Sequence, residues 1–221
     1  NGRNFFGVFP LKGKLLNVRE ASVKVIGGND EINFLKQIIG LKQNTDYSDE
    51  TNFNQLRYGR IIILTDQDVD GSHIKGLLMN FIHVLWPELL KKDGFITSLA
   101  TPIVKMFKGK EVKTFYNLTE YQECIDLLKE NNEINKWKTK YYKGLGTSTS
   151  TEAKEYFHEI EDKLIKYFYQ SAIEAIKQES ENENELLLSE DDDDAITLAF
   201  DKSRSDDRKQ WLLNYDKNLS L

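Results

Sequence analysis

Three aspartates stand at alternate positions directly after an apolar run. The stretch IIILTDQDVDG places Asp66, Asp68 and Asp70 between four aliphatic residues and a glycine. In extended backbone, residues two apart project to the same side, and open α/β sheets bind ligands at the carboxyl ends of their strands. Carboxylates gathered there repel one another unless a cation is bound, and their oxygens suit an octahedral Mg²⁺. The spacing therefore predicts a metal site, and such a metal suggests phosphate chemistry.

Three other interpretations of the aspartates stay open at this point. DQDVDG matches the first six positions of an EF-hand loop, but Leu77 stands at the twelfth, where that loop needs a bidentate Glu. A haloacid-dehalogenase-like phosphatase also carries an Asp-x-Asp pair after a strand, with the first Asp as nucleophile. The third is an acidic turn that caps the next helix without an ion, in a non-catalytic interaction module.

The elements that must position the aspartates follow from the apolar periodicity. Residues 60–66 predict a central strand buried on both faces, and residues 71–92 have apolar side chains at helical spacing. A capped helix is predicted over 29–40 and a long amphipathic helix over 151–177. Further strands are predicted at 101–107, 113–118 and 136–142. We therefore expect an α/β fold with a mostly parallel sheet flanked by helices and a C-terminal helical extension.

The distribution of charge bears on the possible partners. The net charge is −6, but nine of the 36 acidic residues lie in 179–194, a stretch without any basic residue that we expect to be a disordered insert. The rest of the chain carries 27 acidic against 30 basic side chains, so a polyanionic partner is not excluded. The single cysteine, Cys124, permits no internal disulfide, which fits a reducing compartment. No apolar run reaches the roughly 18 residues of a membrane span, so we expect no membrane partner.

Four blocks of the sequence, taken in order, resemble one enzyme family. They are GVFPLKGKLLNVREAS (7–22), TDQDVDGSHIKGLL (65–78), KYYKGLGTSTSTEAKEYF (140–157) and AITLAFDKSRSDDRKQWL (195–212). The aspartate block resembles the acidic motif of the TOPRIM domain of type IIA DNA topoisomerases, in particular eukaryotic-type DNA topoisomerase II. With this resemblance we expect a Rossmann-like TOPRIM core over 1–146, a helical extension over 147–178, the acidic insert, and a connector over 195–221 that leads to a winged-helix domain outside the chain.

The resemblance implies an ATP-dependent enzyme that passes one DNA duplex through a transient double-strand break in another. Asp66 and Asp68 would bind Mg²⁺, or Mn²⁺ in its place, with Asp70 as a third ligand or a water-mediated support. The metal would stabilise charge at the scissile phosphate while a tyrosine forms a 5′-phosphotyrosyl link. The resemblance places that tyrosine, a metal-binding Glu and the ATPase domain outside this chain, so we assign no catalytic nucleophile here. The fragment alone is expected to be inactive.

The same resemblance suggests which partners and side chains to expect. The partner is double-stranded DNA, and the enzyme is a nuclear homodimer assembled through segments outside this chain. The candidates for contacts to the DNA backbone are Lys12, Lys14, Asn17, Arg208 and Lys209. The family usually has Arg at position 12, so Lys keeps the charge but loses the bidentate fork. Such contacts supply salt-dependent affinity rather than sequence reading. Possible phosphate neighbours are His73, Lys75 and Lys143.

Overall fold

The computed structural model describes residues 5–142, 149–158, 160–167 and 192–214. The chain divides into two compact units. The first, which we call the helical unit, comprises 1–59, 76–95 and 168–221, and the second, the sheet unit, comprises 60–75 and 96–167. The described residues form these elements in chain order: α1 (Val23–Gly27), α2 (Asp30–Ile39), α3 (Glu50–Phe53), β1 (Ile61–Ile63), α4 (Val69–Leu85), β2 (Ile96–Leu99), β3 (Val104–Lys108), β4 (Glu111–Phe115), α5 (Leu118–Glu130), β5 (Lys138–Tyr141), α6 (Ser150–His158), β6 (Leu164–Lys166), α7 (Asp192–Phe200) and α8 (Ser205–Asn214).

In the helical unit, local sequence features predict where a helix begins and ends. The predicted helix at 29–40 is confirmed as α2: the Asn29 side chain accepts a hydrogen bond from the Ile32 backbone, and Gly40 ends the helix at φ 89°. Its apolar face is buried, as is that of the second part of α4. The buried residues of these two faces are Ile32, Leu35, Ile39, Leu77, Leu78, Phe81 and Ile82. Residues 76–85 of α4 belong to this unit, and its first turns belong to the sheet unit.

All six described strands lie in the sheet unit, in two three-stranded sheets. One has the order β1-β2-β6, with β1 parallel and β6 antiparallel to β2; the other, β4-β3-β5, is antiparallel throughout. The α/β class is confirmed, but the expectation of a mostly parallel sheet is wrong for the described strands, in which only β1 and β2 pair in parallel. The β3–β4 pair is antiparallel because the two strands join through a tight turn at Gly109, whose φ is 62°.

The centre of the first sheet is β2 and not β1. All four residues of β2 are buried, whereas β1 pairs with β2 alone among the described strands and two of its three residues are half-buried. No strand was predicted at β2, which contains the polar residues Thr97 and Ser98. The Thr97 hydroxyl donates to the Ile61 carbonyl at 3.3 Å, and the Ser98 hydroxyl lies 2.7 Å from that of Tyr167, so both hydroxyls are satisfied inside the unit.

The amphipathic helix expected over 151–177, within the extension 147–178, is much shorter in the described residues. α6 ends at His158, and Leu164–Lys166 forms β6 beside β2. Ladder hydrogen bonds to a strand some 65 residues earlier outweigh the helical periodicity of the local sequence. Most of the predicted acidic insert lies outside the described residues, but its last three residues begin α7. Within the described ranges, no helix is both long and apolar enough to cross a membrane.

Candidate metal site and basic residues

The aspartates lie where β1 gives way to α4. Asp66 and Asp68 are on the connecting loop, and α4 has already begun at Val69. Asp68 caps this helix: its Oδ1 accepts a hydrogen bond from the Gly71 backbone N–H at 2.7 Å, and its carbonyl accepts from Ser72 at 3.0 Å. Asp70 stands exposed in the first helical turn. The sequence therefore located the carboxylates at the correct strand-to-helix junction.

Alternation along an extended strand does not place all three carboxylates on one side. Period-two projection requires extended backbone through residue 70, and the helix replaces it from Val69 onward. In the part of the chain that the structure describes, no group of three or more His, Cys, Asp or Glu side chains is placed to hold a metal ion. Asp66 and Asp68 share the loop, and Asp70 belongs to the helix. Their assignment as metal ligands stays a prediction.

Two carboxylates on one loop fit a magnesium ion better than a calcium ion. Mg²⁺ keeps several of its waters and is typically held by one or two carboxylates together with substrate phosphate oxygens, whereas Ca²⁺ takes six to eight oxygen ligands. A carboxylate offers about four lone-pair positions, so the capping bond to Gly71 leaves Asp68 able to bind a cation. The donor set of Asp66 and Asp68 is thus compatible with Mg²⁺ at a phosphate.

A glycine makes the loop compact. A Cβ atom added to Gly71 would lie 1.9 Å from the carbonyl oxygen of Asp66 and 2.9 Å from its carbonyl carbon. Only a residue without a side chain lets the first turn of α4 approach the loop this closely. The Gln67 amide donates to the Leu99 carbonyl at 3.4 Å and so attaches the loop to the end of β2. The position of Asp66 is therefore fixed from both sides of the loop.

The possible phosphate neighbours differ in their surroundings. His73 is exposed and Lys75 is half-buried, both on the first turns of α4 within the sheet unit. Burial lowers the pKa of Lys75 from its usual value. Lys143 lies outside the described residues.

Two of the five expected DNA contacts lie on an exposed loop of the helical unit. Lys12 and Lys14 are both exposed and flank Gly13, whose φ of 124° is in the region that favours glycine. The backbone N–H of Lys12 donates to the Glu31 carboxylate at 3.0 Å. Leu15 is buried, so the loop is anchored immediately after Lys14. Exposed ammonium groups on an anchored loop can reach phosphate oxygens of a duplex.

Asn17, Arg208 and Lys209 have very different surroundings. The Asn17 amide donates to the Phe200 carbonyl at 2.9 Å, and one terminal nitrogen of Arg208 donates to the carbonyls of Leu198 and Asp201 at 2.8 and 2.6 Å. Both side chains thus hydrogen-bond to the end of α7. Lys209, by contrast, is exposed and pairs with Asp206 on the same face of α8. Of these three, Lys209 resembles most closely the solvent-facing donor that the sequence predicted.

Glu152 is a residue of the sheet unit that the sequence analysis missed. Its carboxylate accepts hydrogen bonds from Lys140 at 2.8 Å, from the backbone N–H of Thr149 at 2.7 Å and from the Tyr142 hydroxyl. It therefore joins the residues on either side of 143–148. Burial alone would raise the pKa of Glu152, but the hydrogen bonds from Lys140, Thr149 and Tyr142 outweigh it and lower the pKa to about 2. The Thr-x-x-Glu spacing of a capping box was the available signal.

We expect Glu152→Gln to destabilise the sheet unit by about 2 kcal/mol at pH 7, since hydrogen bonds to a charged group are worth about 1.5–3 kcal/mol. The folded pKa lies below the ordinary 4.5, so this stabilisation is complete above pH 4.5 and is lost as the pH falls toward 2. Urea unfolding of both proteins at several pH values should show the difference shrinking on acidification. Glu161→Gln, which breaks an exposed pair with Arg60, should cost under about 1 kcal/mol. A pH-independent difference for Glu152→Gln would contradict the assignment.

Comparison with known families covers the whole chain. A family model described as the Toprim domain matches residues 1–102, and one described as the C-terminal associated domain of TOPRIM matches residues 99–221. The chain is 46% identical to DNA topoisomerase 2 of Acanthamoeba polyphaga mimivirus and 49% identical to human DNA topoisomerase 2-alpha, in each case over 97% of its length. It spans only 19% and 12% of the lengths of these two relatives.

A solved structure agrees with these sequence relatives. The chain superposes with a TM-score of 0.79 on the Plasmodium falciparum topoisomerase II DNA-binding, cleavage and re-ligation domain. The two are 43% identical, and the match covers 96% of this chain and 26% of the other. Both the sequence and the fold are therefore similar to the same group of proteins.

Proposed function

Since this chain belongs to the Toprim family and includes that family's C-terminal associated domain, we propose that it is the metal-binding portion of an ATP-dependent type II DNA topoisomerase. The observation that carries the proposal is the pair Asp66 and Asp68 on the compact loop between β1 and α4, in a chain of this family. The enzyme makes and reseals transient double-strand breaks in DNA. It works in the nucleus as a homodimer.

Asp66 and Asp68 bind Mg²⁺, for which Mn²⁺ can substitute, and Asp70 supports the site from the first turn of α4. The ion, when bound, stabilises negative charge on the oxygens of the scissile phosphate. The protein's own part is to hold the two carboxylates in place. Gly71 does this by its close approach to the Asp66 backbone and by its hydrogen bond to Asp68, and Gln67 does it through its bond to the Leu99 carbonyl.

The remaining chemical groups come from outside these 221 residues. Formation of a 5′-phosphotyrosyl link needs a tyrosine nucleophile, and the family resemblance places it, a further metal-binding Glu and the ATPase domain in other segments. Lys12, Lys14 and Lys209 supply positive charge for phosphate oxygens of the duplex. Since Asn17 and Arg208 hydrogen-bond within the helical unit, we assign their main contribution to holding that unit together.

The test is relaxation of supercoiled plasmid by the full-length enzyme. We expect relaxation that needs both ATP and Mg²⁺, with linear DNA covalently attached to protein when the reaction is stopped by denaturant. The 221-residue chain alone should neither relax nor cleave DNA. Release of phosphate from a small phosphate ester by this chain alone would instead support a haloacid-dehalogenase-like phosphatase and contradict the proposal.

A further inference from the structure

A fully buried amide on α4 joins separate segments of the helical unit. Asn80 is 0% exposed. Its amide nitrogen donates to Oδ1 of Asn17 at 2.9 Å, and its own Oδ1 accepts from Nε of Arg19 at 3.1 Å. A terminal nitrogen of Arg19 lies 2.9 Å from Nδ1 of His83, one helical turn further along α4. We call Asn17, Arg19, Asn80 and His83 the Asn80 network. It satisfies a polar group that would otherwise be costly to bury.

The hydrogen bonds of the Asn80 network permit only one orientation of each side chain. The Asn17 nitrogen donates to the Phe200 carbonyl, while its oxygen accepts from Asn80 and, at 3.2 Å, from the Arg19 backbone N–H. Rotating the Asn17 amide by half a turn would break all three bonds. A guanidinium can only donate, so Nδ1 of His83 is the acceptor toward Arg19 and the ring proton is on Nε2. Each partner therefore specifies the orientation of the next.

The network holds the segment that carries the two exposed lysines. Asn17 is three residues from Lys14, and Leu15 and Val18 on either side are 3% and 2% exposed. The same segment is tied to the end of α7 a second time, because the backbone N–H of Lys202 donates to the Glu20 carboxylate at 2.6 Å. A shift of Asn17 would therefore be passed on to Lys14 and Lys12.

We propose that Asn80 is a positioning residue for DNA binding, which sets the place of Lys12 and Lys14 through the amide of Asn17. The inference rests on the proposed function, in which these lysines contact the DNA backbone. Asn80 is inaccessible and uncharged, so it can affect DNA affinity only through other residues that it positions. Asn17 belongs to the same positioning network, since its amide donates to the Phe200 carbonyl and accepts from Asn80.

The test is the salt dependence of duplex binding by the full-length enzyme with Asn80→Asp. The substitution keeps the size and the acceptor for Arg19 but sets a second oxygen against Oδ1 of Asn17. Each lost phosphate contact makes the slope of log K against log salt less negative by about 0.9. We expect the Asn80→Asp slope to change by nearly two contacts, the amount lost in the double variant Lys12→Gln/Lys14→Gln. Adding Asn80→Asp to that double variant should change the slope no further.

Two control variants separate an effect on positioning from an effect of the added charge and from loss of folding. Asn54→Asp adds the same charge at an exposed position of the helical unit and should leave the slope unchanged. Arg19→Lys, which keeps the charge but loses the guanidinium fork, should act like Asn80→Asp and serves if the latter does not fold. Loss of folding by both would overturn the proposal, because the network would then serve stability alone.

The outcomes also distinguish a failure of the positioning role from a failure of the proposed DNA contacts. A normal effect of the lysine variants with an unchanged slope for folded Asn80→Asp would overturn the positioning role alone. An additive effect of Asn80→Asp in the lysine-free background would overturn it as well. An unchanged slope in Lys12→Gln/Lys14→Gln would overturn the proposed DNA contacts and, with them, the positioning role.

Discussion

Replacing Asp66 or Asp68 with asparagine in the full-length enzyme should lower DNA cleavage at least about a hundredfold while leaving the protein folded. Metal stabilisation of transition-state charge is worth several kcal/mol, and each 1.36 kcal/mol is tenfold in rate. Asparagine keeps the size of the side chain and caps helices about as well as aspartate, so Asp68→Asn retains the bond from the Gly71 N–H. The loss therefore reports the charge of the carboxylate and not the helix cap. Cleavage of supercoiled plasmid under denaturing quench measures it.

A second helix-capping aspartate provides the matched control. Asp49 accepts a hydrogen bond from the Thr51 backbone at 2.8 Å and caps α3, in the helical unit. Asp49→Asn should leave both thermal stability and cleavage as in the wild type. Asp70→Asn should lose less cleavage than the two loop variants, since Asp70 belongs to the helix and not to the loop. Cleavage at the wild-type level by Asp66→Asn or Asp68→Asn would contradict the metal assignment outright.

Local signals in the sequence predicted the elements that depend on local interactions. The cap at Asn29 and the stop at Gly40 act within one or two turns, so α2 was predicted to within one residue at its start and correctly at its end. β2 was missed because the partners of its two hydroxyls, Ile61 and Tyr167, are distant in the chain. β6 was missed for the same reason, as its partner strand is far away in sequence. Satisfaction of polar groups across long separations is a property of the fold and leaves no local pattern.

At the candidate site too, local patterns could be predicted and long-range contacts could not. The junction of strand and helix correctly located Asp66 and Asp68, because a buried strand followed by a glycine and a helical period is a local pattern. The derivation from alternation also placed Asp70 with them, because it extended the strand past the start of α4. Asn17 and Arg208 were expected to contact DNA because of the family resemblance, and that expectation stays a prediction. Their carbonyl partners lie 183 residues away for Asn17 and 10 and 7 residues away for Arg208, and a donor group alone does not reveal them.

Gly71→Ala should destabilise the sheet unit by about 3 kcal/mol or more, the upper part of the range for overpacked sites. The added Cβ would meet the Asp66 carbonyl oxygen at 1.9 Å, and that oxygen is a backbone atom, which cannot turn aside as the end of a flexible side chain can. Alanine is the better helix former by about 1 kcal/mol, but that gain is smaller than the cost of displacing the loop. Urea unfolding followed by circular dichroism measures the difference. Any folded variant should also cleave DNA poorly, because its loop must move Asp66.

Gly59 and Gly76 provide comparisons for Gly71→Ala. At Gly59 a Cβ would meet nothing within 4 Å, so Gly59→Ala should be neutral or slightly stabilising. At Gly76 the nearest atom is the tip of the Phe200 ring at 2.7 Å, which is side chain and can turn aside, so Gly76→Ala should cost less than Gly71→Ala. The order of the three costs tests whether the backbone of the aspartate loop, and not crowding in general, requires glycine at position 71. Equal stability of Gly71→Ala and the wild type would show that α4 does not approach Asp66 so closely, and the compact loop that holds the two carboxylates would lose its support.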